Sequence, residues 1–259
     1  MSKKHLLYRV EKNAAHFTIN REEQRNAITA EAIDLFMKHM DEAEKDENVR
    51  VICVTGKGER AFCAGADLGN AMSGEKNEVM ASFQGYADLL KRLVNFPKPT
   101  VARVNGSCVA GGTGFMLACD IVIASDKAKF GTPEVNVGLF PMMIGALIFR
   151  NVPRKKAMDM ILSGKIFAAK EALEMGMITR LAKPEDLDAE VDKTLSALAS
   201  KSSICLMTGK KAFNEIADKS LEDSVDILAK KLLEVAFTED AKEGVMAFIE
   251  KRKPVFTGK

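Results

Sequence analysis

No run of apolar residues in this chain is long enough to span a bilayer, and no hydrophobic signal core follows Met1-Ser2-Lys3-Lys4-His5. A membrane protein is therefore not expected, and a cytoplasmic one is. An excess of charge is missing too. Thirty-eight Lys and Arg against 36 Asp and Glu leave a net charge of +2, which singles out neither nucleic acid nor an anionic membrane surface as partner. The five cysteines (53, 63, 108, 119 and 205) are odd in number and show neither CxxC nor His/Cys ligand spacing. Most sit in apolar runs, as small core residues do, so a reduced compartment is expected and a metal site is not. Neither G-x-x-x-x-G-K-[ST] nor G-x-G-x-x-G is present where the glycines cluster, which argues against the two commonest phosphate loops. There is no repeat at fixed period and no low-complexity tract.

What is present is an ordinary globular composition over 259 residues, enough for one large or two small domains. Leu6 to Val10 and His16 to Ile19 alternate as short strands around Asn13-Ala14-Ala15, which predicts an opening hairpin. Thr29 is placed to cap a helix carrying Ile33, Phe36, Met37 and Met40 on one face. Residues 49–55 form a β-branched strand closed by Gly56-Lys57-Gly58. Residues 60–68 read as a small-residue loop where backbone can approach a ligand, and 69–78 as a polar, mobile segment. A helix over 79–93, with Phe83, Tyr86, Leu90 and Leu93 on its apolar face, stops at Pro97-Lys98-Pro99 before a strand at 100–104. Helices are expected at 154–162 and 169–175, then a strand at 178–181. From Pro184 the pattern is helical throughout, at 188–199, 205–217, 224–237 and 240–252. Strands alternating with helices and then giving way to helices predict an α/β unit over 1–184 and a helical region over 185–259.

The centre of the chain is residues 105–134. Gly111, Gly112 and Gly114 fall within four positions and mark backbone that turns tightly or lies against something else. The residues after them are apolar on every side, so a helix starting near Gly112 is buried. Free N–H groups at its start suit negative charge, whether a phosphate or an oxyanion formed on a carbonyl. Taken alone, these glycines are better explained by a glycine-rich packing turn.

The alternatives narrow when the motifs are taken together. Ile19-Asn20-Arg21 with Asn26-Ala27, then Ala61-Phe62-Cys63-Ala64-Gly65-Ala66-Asp67-Leu68, Pro97-Lys98-Pro99 and Val104-Asn105-Gly106 come first. Gly111-Gly112, Cys119-Asp120, Phe130-Gly131-Thr132-Pro133-Glu134 and residues 247–253 follow in register. In this order they resemble the enoyl-CoA hydratase/isomerase (crotonase) superfamily over nearly the whole chain. The resemblance implies an α/β spiral of ββα turns followed by helices that assemble a homotrimer, often paired into a hexamer. It implies an acyl-CoA thioester as substrate, coenzyme A entering as part of that substrate, with no further cofactor. The thioester oxygen would lie between the N–H groups of Ala66 and Gly111. Phe62, Cys63, Ala64, Gly65, Asp67, Leu68, Gly112, Gly114, Pro133 and Met142 are the substrate-binding candidates. The coenzyme A phosphates would run along the loop into Phe62-Cys63-Ala64, where Lys251 or Lys253 of a neighbouring subunit could reach them. Segments 69–79 and 142–147 would shape the acyl pocket.

The chain departs from the family pattern at one catalytic position. Family hydratases carry two glutamates over the α and β carbons. Glu134 matches one, and the other falls on Gly114, which can neither hold nor deprotonate a water. Losing one general acid–base group costs a factor of about 10²–10⁴, whereas a 1,3-proton shift needs a single carboxylate. The resemblance with this departure therefore implies enolate chemistry with Glu134 as the single acid–base group and favours double-bond isomerisation slightly over hydration. Hydration with a second group drawn from Asp67 or segment 69–78, and a catalytically weak acyl-CoA-binding protein, are the alternatives.

Overall fold

The computed structural model describes residues 4–67 and 74–259. The chain opens on strands β1 (Leu6–Glu11) and β2 (Ala14–Ile19), paired antiparallel from Leu6↔Ile19 to Glu11↔Ala14. The turn is Lys12-Asn13, one residue earlier than the sequence suggested. Both residues are left-handed, with φ of 50° and 62°, the conformation that two-residue hairpins with the right-handed strand twist require.

Helix α1 (Ala30–Lys45) follows, and the Thr29 hydroxyl accepts from the Ala32 N–H at its start as expected. Two further ββα turns come next. Strands β3 (Val51–Gly56) and β4 (Ala61–Cys63) precede α2 (Lys76–Val94), whose first turn carries a reciprocal Glu75/Glu78 capping box. Strands β5 (Thr100–Val104) and β6 (Ser107–Val109) precede the short α3 (Gly111–Leu117). Strands β7 (Ile121–Ser125) and β8 (Lys129–Gly131) lead through a 3₁₀ turn (Pro133–Val137) to α4 (Met142–Asn151) and α5 (Arg154–Ser163). After β9 (Ile166–Ala168), α6 (Ala169–Glu174) and β10 (Arg180–Ala182), only helices remain. These are α7 (Leu187–Ala199), α8 (Ser203–Ile216), α9 (Leu221–Ala236) and α10 (Glu239–Ile249).

The first strand of each later ββα turn joins a six-stranded sheet ordered β1-β2-β3-β5-β7-β10, and the second joins a four-stranded sheet ordered β4-β6-β8-β9. The sequence reading missed most of this second sheet. Its strands are three residues long, too short for alternation to register, and two of them lie inside stretches read as glycine-marked loop. That sheet matters most for function, because the parallel β4 and β6 end side by side.

Between the sheets runs a core of aromatic rings that are at most 1% exposed. Phe17 stacks on Phe36 at 5.5 Å, Phe36 meets the edge of Phe115 at 5.1 Å, and Phe62 lies 6.3 Å from Phe115. The α7 residues Leu187, Val191 and Leu195 cover the other face of the large sheet against Val51, Cys53, Val101 and Ile123. Helix α8 is clasped to the strands by Lys210, whose Nζ donates at 2.6 Å to the Asp120 carboxylate. The same carboxylate oxygen accepts from the Thr100 N–H and hydroxyl. The last helices leave Phe213, Leu221, Phe237, Phe248 and Ile249 exposed in this single chain.

Candidate active site

The loops after β4 and β6 touch backbone to backbone. Gly65 sits at φ +93°, and a Cβ there would stand 2.9 Å from the Gly111 amide nitrogen. A Cβ on Gly111 would stand 3.4 Å from the Ala66 nitrogen, and one on Gly112 would run into the Cys63 carbonyl. Side chains are excluded here because two turns share the space. Flanking bonds hold the first turn, from the Ile28 N–H to the Gly65 carbonyl and from the Asp67 N–H to the Ile28 carbonyl, at 2.8 and 3.0 Å. The Ala66 N–H between them and the Gly111 N–H at the start of α3 have no acceptor among the described residues. Two adjacent donors without an internal acceptor suit an oxygen that bears or develops negative charge.

Ala110, just before Gly111, adopts φ +51° and ψ −134°, a conformation disfavoured for any residue with a side chain. It is held from below, where its N–H donates to the Gly131 carbonyl at 3.0 Å and the Thr113 hydroxyl donates to the carbonyls of Cys108 and Gly131.

Glu134 lies on the 3₁₀ turn after β8, the strand beside β6. Burial raises its carboxyl above the ordinary value of 4.5, opposed by a hydrogen bond from its own backbone N–H. Its Oε2 is buried and has no hydrogen-bond partner among the described residues. A half-buried carboxyl with a buried oxygen that no described residue pairs is suited to take and return a proton.

Gly114 lies on α3 one turn beyond Gly111, and its missing side chain is replaced by a neighbour. A Cβ there would strike Ile144 Cγ2, 2.6 Å from Ile144 Cβ and 3.4 Å from its Cα. Ile144, on α4, is 3% exposed. The position that the family resemblance would give to a second glutamate is thus a packed contact between two helices.

The other sequence candidates fall in several places. The Phe62 and Cys63 side chains are wholly buried, so at these positions only backbone faces the loop. The Cys63 thiol is pushed up to about 12 by burial and accepts from the Gly65 N–H, which makes it a structural group. Ala64 and Pro133 are half-buried, and Met142, the first residue of α4, is 75% exposed. The Asp67 carboxylate pairs with Arg21 at 2.9 Å, and Arg21 also donates to the Ala27 carbonyl, which ties the opening motif to the Ala66 turn. Leu68 and residues 69–73 lie outside the described residues. Two residues take roles that the sequence reading did not give them: Ile144, expected only within the 142–147 segment that shapes the acyl pocket, and Tyr86, whose hydroxyl donates to the Gly111 carbonyl at 2.5 Å. Neither carries a motif, and each is brought in by a helix distant in sequence. Among the described residues no group of three His, Cys, Asp or Glu could hold a metal, and no helix is long and apolar enough to cross a membrane.

Comparison with known proteins places this geometry. Residues 9–259 match the model of the enoyl-CoA hydratase/isomerase family. The chain belongs to that family. It is similar to the mitochondrial enoyl-CoA hydratase domain-containing protein 3 of Xenopus laevis, 34% identical over 92% of this chain and 81% of that one. A probable enoyl-CoA hydratase of Bacillus subtilis is 36% identical over 90% of this chain and 91% of its own length. Among solved structures, the enoyl-CoA hydratase of Mycobacterium smegmatis superposes with a TM-score of 0.94 at 29% identity, over 98% of this chain and 99% of that one. The chain is accordingly an enzyme of the enoyl-CoA hydratase/isomerase family, with the α/β crotonase fold and a helical C-terminal region.

Proposed function

We propose that this protein acts on acyl-CoA thioesters by stabilising a thioester enolate, with Glu134 as the single acid–base carboxylate, and that its reaction is double-bond isomerisation in preference to hydration. The observation that carries this reading is the occupation of the Gly114 position by Ile144, together with a buried Glu134 oxygen that has no hydrogen-bond partner among the described residues.

The steps follow from the residues. The thioester oxygen accepts from the N–H groups of Ala66 and Gly111. Glu134 takes a proton from the carbon next to the thioester carbonyl, and the C–H electron pair moves into the thioester to give the enolate. A 3,4 double bond then extends the conjugation, and Glu134 returns the same proton to the γ carbon, leaving the double bond at 2,3. One base serves both transfers, and nothing else is consumed. Hydration needs a second group to hold and activate water, and an isoleucine methyl cannot do so. Removing one of the two amide donors would cost about 2.7–4 kcal/mol of transition-state stabilisation, so the pair is the largest fixed contribution.

Coenzyme A enters only as part of the substrate in this reading, with no separate cofactor. A homotrimer or hexamer is proposed as the working form, supported by the exposed apolar side chains of α8 to α10; sedimentation of the purified chain at a monomer's mass would overturn it. The function is tested by giving the enzyme matched 3-enoyl-CoA and 2-enoyl-CoA substrates. Isomerisation should exceed hydration and fall sharply in Glu134→Gln. Hydration as the faster reaction would refute the preference. Turnover indifferent to Glu134 would mean that another residue is the base, and binding without turnover would favour a scaffold that only binds acyl-CoA.

A further inference from the structure

We infer that Tyr86 is a positioning residue for the amide-donor pair, holding the Gly111 turn from the helix opposite Ala110, an inference that rests on the proposed enolate chemistry. The Tyr86 hydroxyl reaches from α2 and donates to the Gly111 carbonyl at 2.5 Å. It stands 3.4 Å from the place a Gly111 Cβ would take, the same distance as the Ala66 nitrogen, so it closes the donor site on one side. The side chain is 5% exposed, and water is a poor substitute for it there.

The turn needs such support. Ala110 is held at φ +51° and ψ −134°, and strained backbone persists only where its surroundings over-determine it. From the strand side the restraints are the Ala110 N–H on Gly131 and the Thr113 hydroxyl on Cys108 and Gly131. Those bonds fix the base of the turn, and the Gly111 carbonyl, the first of α3, lies beyond their reach. Tyr86 acts on that carbonyl, and so on the direction of the Gly111 N–H in the same residue. Burial, with the charge of Glu134 and the buried thiols of Cys63 and Cys108, holds the phenol well above its ordinary value, so it remains a neutral donor while Glu134 exchanges protons.

Tyr86→Phe removes this one oxygen and keeps the ring. Exchange of solvent deuterium into the α carbon of a bound acyl-CoA should fall by about 10–10²-fold, because a small misplacement of a catalytic donor costs up to about 10². Thioester affinity should change by less than about threefold, the amide pair having its larger effect on the enolate. The diagnostic readout is the infrared carbonyl stretch of a ¹³C-labelled thioester. Bound to wild type it should lie below its frequency in water, and Tyr86→Phe should return it part of the way. A stretch and an exchange rate equal to those of wild type would overturn this inference alone. A wild type that leaves the stretch unshifted would overturn the enolate reading and this inference with it. If Tyr86→Phe does not fold, 3-fluorotyrosine in a Tyr8→Phe background leaves Tyr86 as the one tyrosine of the chain. Its stronger phenol donor should change both readouts, and unchanged values would refute the role.

Discussion

The contact between Gly114 and Ile144 gives a sharp test of the proposed single-carboxylate mechanism. Any side chain at 114 meets Ile144 Cγ2 and stands 2.6 Å from Ile144 Cβ, closer than real Cβ atoms approach. Gly114→Ala should therefore destabilise the fold by about 1–3 kcal/mol, the usual cost of overpacking. For a chain of this length that is a fall in Tm of roughly 2–12 °C. Shortening residue 144 to Ala is not enough, since its Cβ remains. Ile144→Gly leaves the Cα at 3.4 Å, an ordinary contact, and opens the space. Alone it should cost about 2–5 kcal/mol for the lost buried side chain, plus about 1 for glycine in a helix. Combined as Gly114→Glu/Ile144→Gly, the two changes should cost less than their sum, with a coupling of about 1 kcal/mol or more. The assay is hydration of crotonyl-CoA by the double variant, after thermal melting and CoA-ester binding show it folded and competent. Hydration should rise by at most about 10²–10⁴, less where two nearby carboxyls raise one another's pKa. A Gly114→Glu single variant as stable as wild type would show that Ile144 does not fill the site. A double variant that binds normally yet hydrates no faster would show that position 114 is not the place of the lost carboxylate.

The remaining predictions concern the donors, the base and one buried lysine. Ala66→Pro removes a backbone donor, and thioester turnover should drop about 10²–10³-fold in a folded variant; unchanged turnover would exclude Ala66 as a donor. Glu134→Gln should slow α-deuterium exchange by about 10²–10⁴ with little loss of affinity. Because burial raises the Glu134 pKa, its basic form is gained only above 4.5, so the acid limb of kcat/KM should lie above that value and vanish in Glu134→Gln. A limb retained in that variant would assign the titration to another group. Lys98, 5% exposed, donates through Nζ to the Ala43 and Asp46 carbonyls at 2.7 Å each, closing the end of α1. Lys98→Met keeps the bulk but strands those acceptors, and should cost about 1–3 kcal/mol in thermal or urea unfolding without altering the pH profile of turnover.

The sequence alone determined the parts that repeat locally or carry a motif. Helical spacing marked α1, α2 and the final helices, because an amphipathic face is written into the side chains of the element itself. Ala66, Gly111 and Glu134 were marked as candidates by the ordered family motifs, and the glycines around two of them by the demands of tight backbone. The short strands β4, β6, β8 and β9 were not legible, since three residues do not display a period. Only the tertiary structure set Ile144 against Gly114, 30 residues earlier, and Tyr86 against Gly111, 25 residues later. In the sequence Ile144 is one apolar residue of a helix and Tyr86 one aromatic on an apolar face. What each does depends on which backbone its tip meets. That is decided by how the ββα turns stack, through contacts between residues too far apart in the chain for any local pattern to record them.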